Sequence, residues 1–212
     1  MKCIIISSLA LLLFSSPIMA QKDYSDLRED MTFGLKAGIN YANVWDEKGQ
    51  DFQADPRVGF AGGLFASIPI NKYLGIQPEA LISQKGYEGS GTILGSRYTS
   101  SRTTTYLDIP LQLQFKPSEF ITLVAGPQYS YLLKQKDKYT FGPNSTEQEQ
   151  EFDNDNIRDN TLGFVAGVDL MMKQVVFSAR AGWDLQNNHG DGNSSTPRYK
   201  NQWLQFTLGF VI

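Results

Sequence analysis

The chain has 212 residues, of which 41% are hydrophobic and 19% are charged, and its net charge at pH 7 is −3. This small negative charge, without a basic run, argues against nucleic acid as a partner. The length predicts a single domain of ordinary size. The 19 glycines, 13 phenylalanines and 10 tyrosines suit strands and turns better than helices.

The N-terminal segment predicts a secretory signal peptide over residues 1–20. Lys2 precedes an apolar run at residues 4–14, and Ala20 is a small residue suited to the position before a cleavage site. The only cysteine of the chain also lies in this segment, so the mature protein is predicted to contain no disulfide. A short periplasmic leader is predicted over residues 21–31. No later segment reaches the roughly 18 consecutive apolar residues of a membrane-spanning helix.

From residue 32 to residue 212 the sequence predicts one β-barrel domain. Apolar and polar residues alternate in segments of about ten residues, which is the length of a tilted strand that crosses a bilayer. The first three strands are predicted near residues 32–44, 57–70 and 74–85. Their apolar residues are expected to face outward: Phe33, Leu35, Ile39, Tyr41, Val58, Phe60, Leu64, Leu74, Ile76 and Ile82.

The clearest pattern is a predicted hairpin over residues 106–133. Five apolar residues alternate strictly with polar ones before the turn at residues 116–119, and the alternation then resumes to Leu133. The polar segments on either side of this hairpin, residues 87–104 and 134–160, are predicted to be long loops.

Three further strands are predicted near residues 162–170, 175–185 and 204–212. Short turns then alternate with long loops along the whole domain, so all short turns lie at one end. Short periplasmic turns, long outer loops and an even strand count are typical of outer-membrane barrels. The sequence therefore predicts an all-β fold, an eight-stranded antiparallel up-and-down transmembrane β-barrel, located in the outer membrane. A soluble, lipocalin-like carrier would need apolar residues inside, and here the inward face is charged.

Several short segments resemble the PorT-like, porin-family outer-membrane β-barrel proteins. They are Tyr-Leu-Gly-Ile-Gln-Pro-Glu (73–79), Ser-Gln-Lys-Gly (83–86), Tyr-Leu-Asp-Ile-Pro-Leu (106–111), Ala-Gly-Pro-Gln-Tyr-Ser (125–130) and Gly-Phe-Val-Ala-Gly-Val (163–168). The resemblance implies an eight-stranded barrel in the outer membrane of a Gram-negative bacterium, inserted by the barrel-assembly machinery. Outer-membrane lipid and lipopolysaccharide are its expected surroundings, and the chain is expected to be a monomer. The resemblance implies no particular activity.

Eight charged residues are predicted to face the lumen, four of each sign: Lys36, Arg57, Lys85, Arg180, Glu79, Asp108, Asp169 and Asp184. An eight-stranded barrel is only wide enough for side chains to fill it, and an unpaired buried charge is costly. We therefore predict that Lys36 and Arg180 neutralise Glu79 and Asp108. The resulting network would be a salt-bridged plug, and the alternative is a narrow, gated pore.

A row of acidic residues recurs at every second position: Glu147, Glu149, Glu151, Asp153 and Asp155. In an extended segment these carboxylates would share one face, where they could contact Ca²⁺ or Mg²⁺. The spacing does not match a calcium-binding loop, and solvated loop charge explains the row equally simply. No metal site and no cofactor are predicted.

The leading functional hypothesis is a non-enzymatic barrel with a structural, adhesive or narrow porin-like role, exercised through its outer loops. A lipid-modifying barrel enzyme is the alternative, with His189, Asp191 and Ser194 as the residues to consider. These three residues share one glycine-rich loop without rigid positioning, which disfavours catalysis. A secretion-accessory barrel is a further alternative that the family resemblance allows.

Overall fold

The computed structural model describes residues 26–45, 55–93, 96–141, 144–150, 158–187 and 199–212. Within these ranges it contains nine strands: β1 (Thr32–Trp45), β2 (Asp55–Pro69), β3 (Leu74–Ile93), β4 (Ser96–Phe115), β5 (Ile121–Phe141), β6 (Asn144–Gln150), β7 (Asn160–Met172), β8 (Val175–Asp184) and β9 (Lys200–Val211). No helix in the described part of the chain is long and apolar enough to cross a membrane.

Eight of the nine strands form the wall of a closed barrel. The hydrogen-bonded order is β4-β3-β2-β1-β9-β8-β7-β5, and pairing between β4 and β5 closes the ring. All pairs are antiparallel, and β1 joins β9 over twelve residue pairs, from Gly34–Val211 to Trp45–Lys200. The predicted eight-stranded, antiparallel, up-and-down barrel is confirmed.

The ninth strand, β6, lies outside the barrel wall. The pairing between β5 and β7 ends at Tyr131, and β6 takes over the same edge of β5 from Gln135 to Phe141. On the other side of β5, β4 remains paired to both β5 and β3 up to its first residues. Residues 87–93, 96–105, 134–141 and 144–150 therefore form a four-stranded extension of the wall, which we call the projecting sheet.

The prediction of long loops at residues 87–104 and 134–160 is wrong for most of these segments. Both lack apolar alternation, because strands above a membrane have water on both faces. Threonines at 99, 103, 104 and 105 nevertheless favour extended structure, and ladder pairing satisfies their backbone hydrogen-bonding groups. These segments are polar because their surroundings are aqueous, so their polarity is no evidence against strands.

The two faces of the wall have opposite chemistry, with apolar residues outside and polar residues inside. Leu113 is 67% exposed, whereas its neighbours in the pattern, Asp108 and Gln112, are each 1% exposed. Seven aromatic residues are exposed on the outer face: Phe33, Tyr41, Phe115, Tyr129, Tyr131, Trp183 and Phe210. Such an exterior suits hydrocarbon, with aromatic side chains at the two interfaces.

The outward apolar pattern ends within two residues of the same level on three adjacent strands, at Ile82, Leu107 and Leu133, since Ile82 pairs with Leu107 and Leu107 pairs with Tyr131. Beyond this level the chain continues into the projecting sheet with Thr103 and Thr105 on β4. The short turns at residues 70–73, 116–120 and 173–174 all lie at the opposite end. We call the end with the short turns the periplasmic end and the other the extracellular end, as the arrangement of outer-membrane barrels indicates.

Trp203 inside the barrel depends on a glycine on the neighbouring strand. Gly182 of β8 pairs directly with Trp203 of β9, and a Cβ atom at Gly182 would collide with the indole ring. The ring can therefore lie against the wall only because residue 182 has no side chain.

We expect Gly182→Val to lower the free energy of unfolding by about 1–3 kcal/mol, because the new side chain displaces the indole ring in a filled interior. Ala179→Val, on the outward face of the same strand, is the matched control and should have little effect. Urea unfolding of the refolded protein, followed by Trp fluorescence, measures both. Equal losses in the two variants would show that the packing of Trp203 does not matter.

Candidate functional site in the barrel lumen

Four charged side chains from four strands meet at the base of the lumen. Lys36 Nζ lies 2.7 Å from Glu79 Oε1, and Arg180 Nη2 lies 2.8 Å from Asp169 Oδ1. Arg180 Nη2 also approaches Glu79 Oε1 at 3.7 Å, which joins the two pairs. All four residues are at most 5% exposed. This basal cluster carries two positive and two negative charges, so it neutralises itself.

Amide side chains add hydrogen bonds to the basal cluster, which leave Asp169 Oδ1 as a buried oxygen without a hydrogen-bond partner among the described residues. Gln77 donates to Glu79 at 2.6 Å and to Asp169 at 3.4 Å. Arg180 donates through Nε to Gln112 Oε1 at 3.0 Å, and through Nη1 to a backbone carbonyl of β7 at 3.1 Å. Buried charges are tolerated when they are both paired and hydrogen-bonded, and this cluster satisfies both conditions.

A second cluster lies higher in the lumen around Lys85. The ammonium group of Lys85 is 3.0 Å from Asp108 Oδ2 and 3.8 Å from the centre of the Trp203 ring. The ring of Tyr106 lies on another side, 5.0 Å from the ammonium nitrogen. A carboxylate and two aromatic faces thus replace the water that this cation has lost.

Asp184 faces the same part of the lumen. Asn201 donates to its Oδ2 atom through the backbone N at 3.2 Å and through Nδ2 at 2.6 Å. The other carboxylate oxygen, Oδ1, has no hydrogen-bond partner among the described residues. Two carboxylates, Asp108 and Asp184, therefore accompany one lysine in this layer.

Aromatic and charged residues cover the lumen at its extracellular end. Arg102 forms a bidentate pair with Asp137 at 2.7 and 2.9 Å and donates to Tyr199 Oη at 3.4 Å. Tyr199 packs edge-on against Tyr87, with ring centres 5.3 Å apart, next to Val44. Burial by itself would lower the pKa of Arg102, but Tyr199 and Asp137 outweigh it and hold that pKa above the ordinary value. We call this group the extracellular lid.

Residues that precede β1 close the periplasmic end. The side chain of Leu27 is 7% exposed and packs in a cluster with Phe65, Val176 and Val211. Lys116, in the turn after β4, donates through Nζ to the carbonyl of Arg28 at 3.2 Å. Burial lowers the pKa of Lys116. The described part of the predicted leader, from residue 26 onward, therefore covers the lumen at this end.

The predicted lumen charges take partners that differ in part from the prediction. Lys36 and Arg180 contact Glu79 as expected, but Asp108 pairs with Lys85 and not with Lys36 or Arg180. The register explains this difference, because Asp108 lies opposite Leu81, two residues above Glu79 along β3. Arg57, at the extracellular end of β2, is half-buried, and no ion pair is recorded for it among the described residues.

The structure describes only the first part of the acidic row. Glu147 lies opposite Lys138, and Glu149 lies opposite Lys136, in the pairing of β6 with β5. Glu151, Asp153 and Asp155 lie outside the described residues. Within the described ranges, no group of three or more His, Cys, Asp or Glu residues is placed to hold a metal ion.

The residues considered for a catalytic role, His189, Asp191 and Ser194, lie outside the described residues. A lipid-modifying activity therefore stays an untested alternative.

Several lumen residues were not singled out as site residues from the sequence. Gln77, Gln112, Tyr106 and Trp203 all contact the charged clusters. Each one lies at an inward position of the period-two pattern, and the pattern alone could have marked it as facing the lumen. Its contact partner could not be found in that way, because the partner depends on register.

An antiparallel ring without open edges, apolar outside and filled with paired polar groups inside, is the architecture of a transmembrane β-barrel. A family model described as "Outer membrane protein beta-barrel domain" matches residues 19–190. The chain belongs to this family, and the protein is located in the outer membrane. No curated protein matches the chain.

Three solved structures are similar in arrangement. The attachment invasion locus protein Ail of Yersinia pestis is 13% identical; the match covers 85% of this chain and 98% of Ail, with a TM-score of 0.48. Neisserial surface protein A is 13% identical, with 84% and 96% covered and a TM-score of 0.45. OprG from Pseudomonas aeruginosa is 13% identical, with 85% and 95% covered and a TM-score of 0.41.

We expect Arg180→Ala to lower the free energy of unfolding by about 3–5 kcal/mol, because it leaves Asp169 buried without its cation. The measurement is the urea midpoint of the folded, heat-modifiable band on a gel. Arg57→Ala is the matched control, since Arg57 is a half-buried lumen arginine without an ion pair to any of the described residues, and its effect should stay within about 0.5 kcal/mol. An Arg180→Ala midpoint equal to that of the wild type would rule out the basal cluster as a source of stability.

Proposed function

We propose that this protein is a non-enzymatic surface protein of the outer membrane that binds a partner through its projecting sheet. The barrel is the anchor in this proposal, and it does not conduct. The projecting sheet is the observation that carries the proposal, because a barrel that served only as an anchor would not need it.

The lengths of the strands support this function. β3, β4 and β5 have 20, 20 and 21 residues, whereas β8 and β9 on the other side of the barrel have 10 and 12. Ten residues cross the hydrocarbon, and ten more extend a strand by roughly 33 Å. One side of the rim therefore carries a hydrogen-bonded platform above the membrane, while the described strands β8 and β9 on the other side end near the interface.

The contents of the lumen support the anchor role over a porin-like role. The basal cluster, the layer around Lys85 and the extracellular lid each join residues from several strands across the interior. An ion would have to break these pairs in turn, and each buried pair that loses a partner costs about 3–5 kcal/mol. Monomeric state, insertion by the barrel-assembly machinery and a PorT-like position within the family are part of the same proposal.

The experiment shortens the projecting sheet without touching the lid. Tyr87 and Arg102 are directly paired, so residues 88–101 can be replaced by an Asn-Gly turn, which suits a two-residue hairpin connection. We expect cells of a non-adherent Gram-negative host that express the wild type to attach to glass and to one another, and cells with the shortened variant to attach as the empty-vector strain does.

The control is a variant with Ser118→Ala in the periplasmic turn, which should attach as the wild type does. All strains are compared at equal amounts of heat-modifiable protein in the outer membrane, so a folding defect cannot imitate the result. Attachment that is equal in the wild type and the shortened variant would contradict the proposal. A wild type that attaches no better than the empty-vector strain would contradict it as well.

A further inference from the structure

One buried carboxylate oxygen in the upper part of the lumen is left without a partner. Asn201 donates twice to Oδ2 of Asp184, whereas Oδ1 of the same carboxylate is buried and accepts no hydrogen bond from the described residues. Asp184 also forms no ion pair with any lysine or arginine of the described ranges. A buried carboxylate that keeps its charge needs a counter-charge.

The cation of this layer, Lys85, is already bound by another carboxylate. Its Nζ atom lies 3.2 Å from Oδ1 and 3.0 Å from Oδ2 of Asp108. Arg102, in the lid above, is likewise paired with Asp137, and Arg57 forms no ion pair with a described residue. One lysine and two aspartates therefore leave this layer of the lumen with one excess negative charge.

The free oxygen of Asp184 faces a space that a glycine creates. Gly163 of β7 pairs directly with Asp184 of β8. A Cβ atom at Gly163 would lie 3.5 Å from Asp184 Oδ1 and 3.0 Å from the carbonyl oxygen of Trp183. Because residue 163 has no side chain, these two oxygens border a small space inside the wall.

A further oxygen without a partner lies one inward position above Gly163. Thr161 is 1% exposed, and its hydroxyl oxygen has no hydrogen-bond partner among the described residues. Thr161 pairs with Ser130, which in turn pairs with Asp108, so this hydroxyl group belongs to the same layer of the lumen. Nearly all buried polar groups in folded proteins have a partner. One small occupant between β7 and β8 would satisfy both oxygens.

The chemistry of these oxygens favours a cation of single charge. A proton on Asp184 would have to sit on Oδ1, where it would be a buried donor with no acceptor among the described residues. A water molecule would supply hydrogen bonds but no charge. A divalent ion would reverse the excess charge of the layer and requires a larger set of charged ligands. A monovalent cation removes both the unpaired charge and the unsatisfied oxygens.

We propose that this space binds one monovalent metal cation, Na⁺ or K⁺, with Asp184 Oδ1, the carbonyl oxygen of Trp183 and the hydroxyl oxygen of Thr161 as ligands. The ion completes the charge balance of the upper lumen beneath the extracellular lid. The projecting sheet takes no part in the site, so the proposal stands or falls independently of the proposed function.

Urea unfolding of the refolded protein in detergent tests the site at about pH 8, where an ordinary aspartate is ionised. NaCl or KCl replaces N-methylglucamine chloride at constant ionic strength, because the N-methylglucamine cation is too large for the space. We expect the ratio of folded to unfolded protein to rise about tenfold for each tenfold rise in Na⁺ or K⁺ above half-saturation. Asp184→Asn should abolish this dependence. Asp159→Asn is the matched control, an exposed aspartate at the same end, and should behave as the wild type does.

Gly163→Ala separates the ion from the carboxylate. This variant keeps Asp184 but places a methyl group in the space, so the dependence on Na⁺ and K⁺ should be lost. The ion with the lower half-saturation in the wild type is the one that the site prefers, and heat-modifiable migration shows that each variant is folded.

Three results would overturn the proposal. The first is a wild type that responds to N-methylglucamine as it does to Na⁺ and K⁺. The second is an Asp184→Asn variant with the wild-type response to the ions. The third is a wild-type stability that ignores both ions but rises as the pH falls, with no such rise in Asp184→Asn, because the occupant would then be a proton.

Discussion

The contact of Arg180 with two carboxylates across the base of the lumen is the interaction on which the interior depends. Arg180 lies on β8, Asp169 on β7 and Glu79 on β3, and Lys36 of β1 balances the second carboxylate. A barrel of eight strands is too narrow for these charges to keep their water. They must therefore neutralise one another, and the pairs between strands that are far apart in the ring hold the wall together from inside.

The membrane sets the opposite requirement on the outer face of the barrel. Lipid offers no hydrogen-bond partners, so each strand must pair on both edges, and the outward face must be apolar. The outward face of the wall is apolar only over the height of the hydrocarbon. Above that level β3, β4 and β5 continue with polar outward residues, and β6 extends their ladder. The unequal lengths of the described strands thus follow from which of them continue beyond the membrane.

The sequence alone predicted the barrel well, because period two reports which face of a strand meets lipid. Leu113 and Gln112 illustrate this, since neighbours in the chain are 67% and 1% exposed. The pattern could not predict the projecting sheet, because a strand with water on both faces does not require an apolar face. Residues such as Thr103 and Lys136 therefore belong to no alternation of apolar and polar residues. The strands there are held by backbone pairing that composition does not encode.

The sequence predicted which charged residues face the lumen, but it could not predict which of them form pairs. A carboxylate at position 108 meets Lys85 because β3 and β4 pair with Asp108 opposite Leu81. A register shifted by a few residues would have offered another cation. The bond between Arg102 and Asp137 depends in the same way on a register that changes between Thr105 and Tyr106. Spacing along one strand fixes a face, but contacts between strands require the register of the whole ring.

Single-channel conductance of the refolded protein in a planar bilayer tests most directly whether paired side chains fill the lumen. With folding verified by a heat-modifiable band on a gel, the account requires silence over a wide range of voltages. Discrete and reproducible openings from the folded protein would contradict it, because they would mean that the charges of the lumen line a continuous path for water and ions.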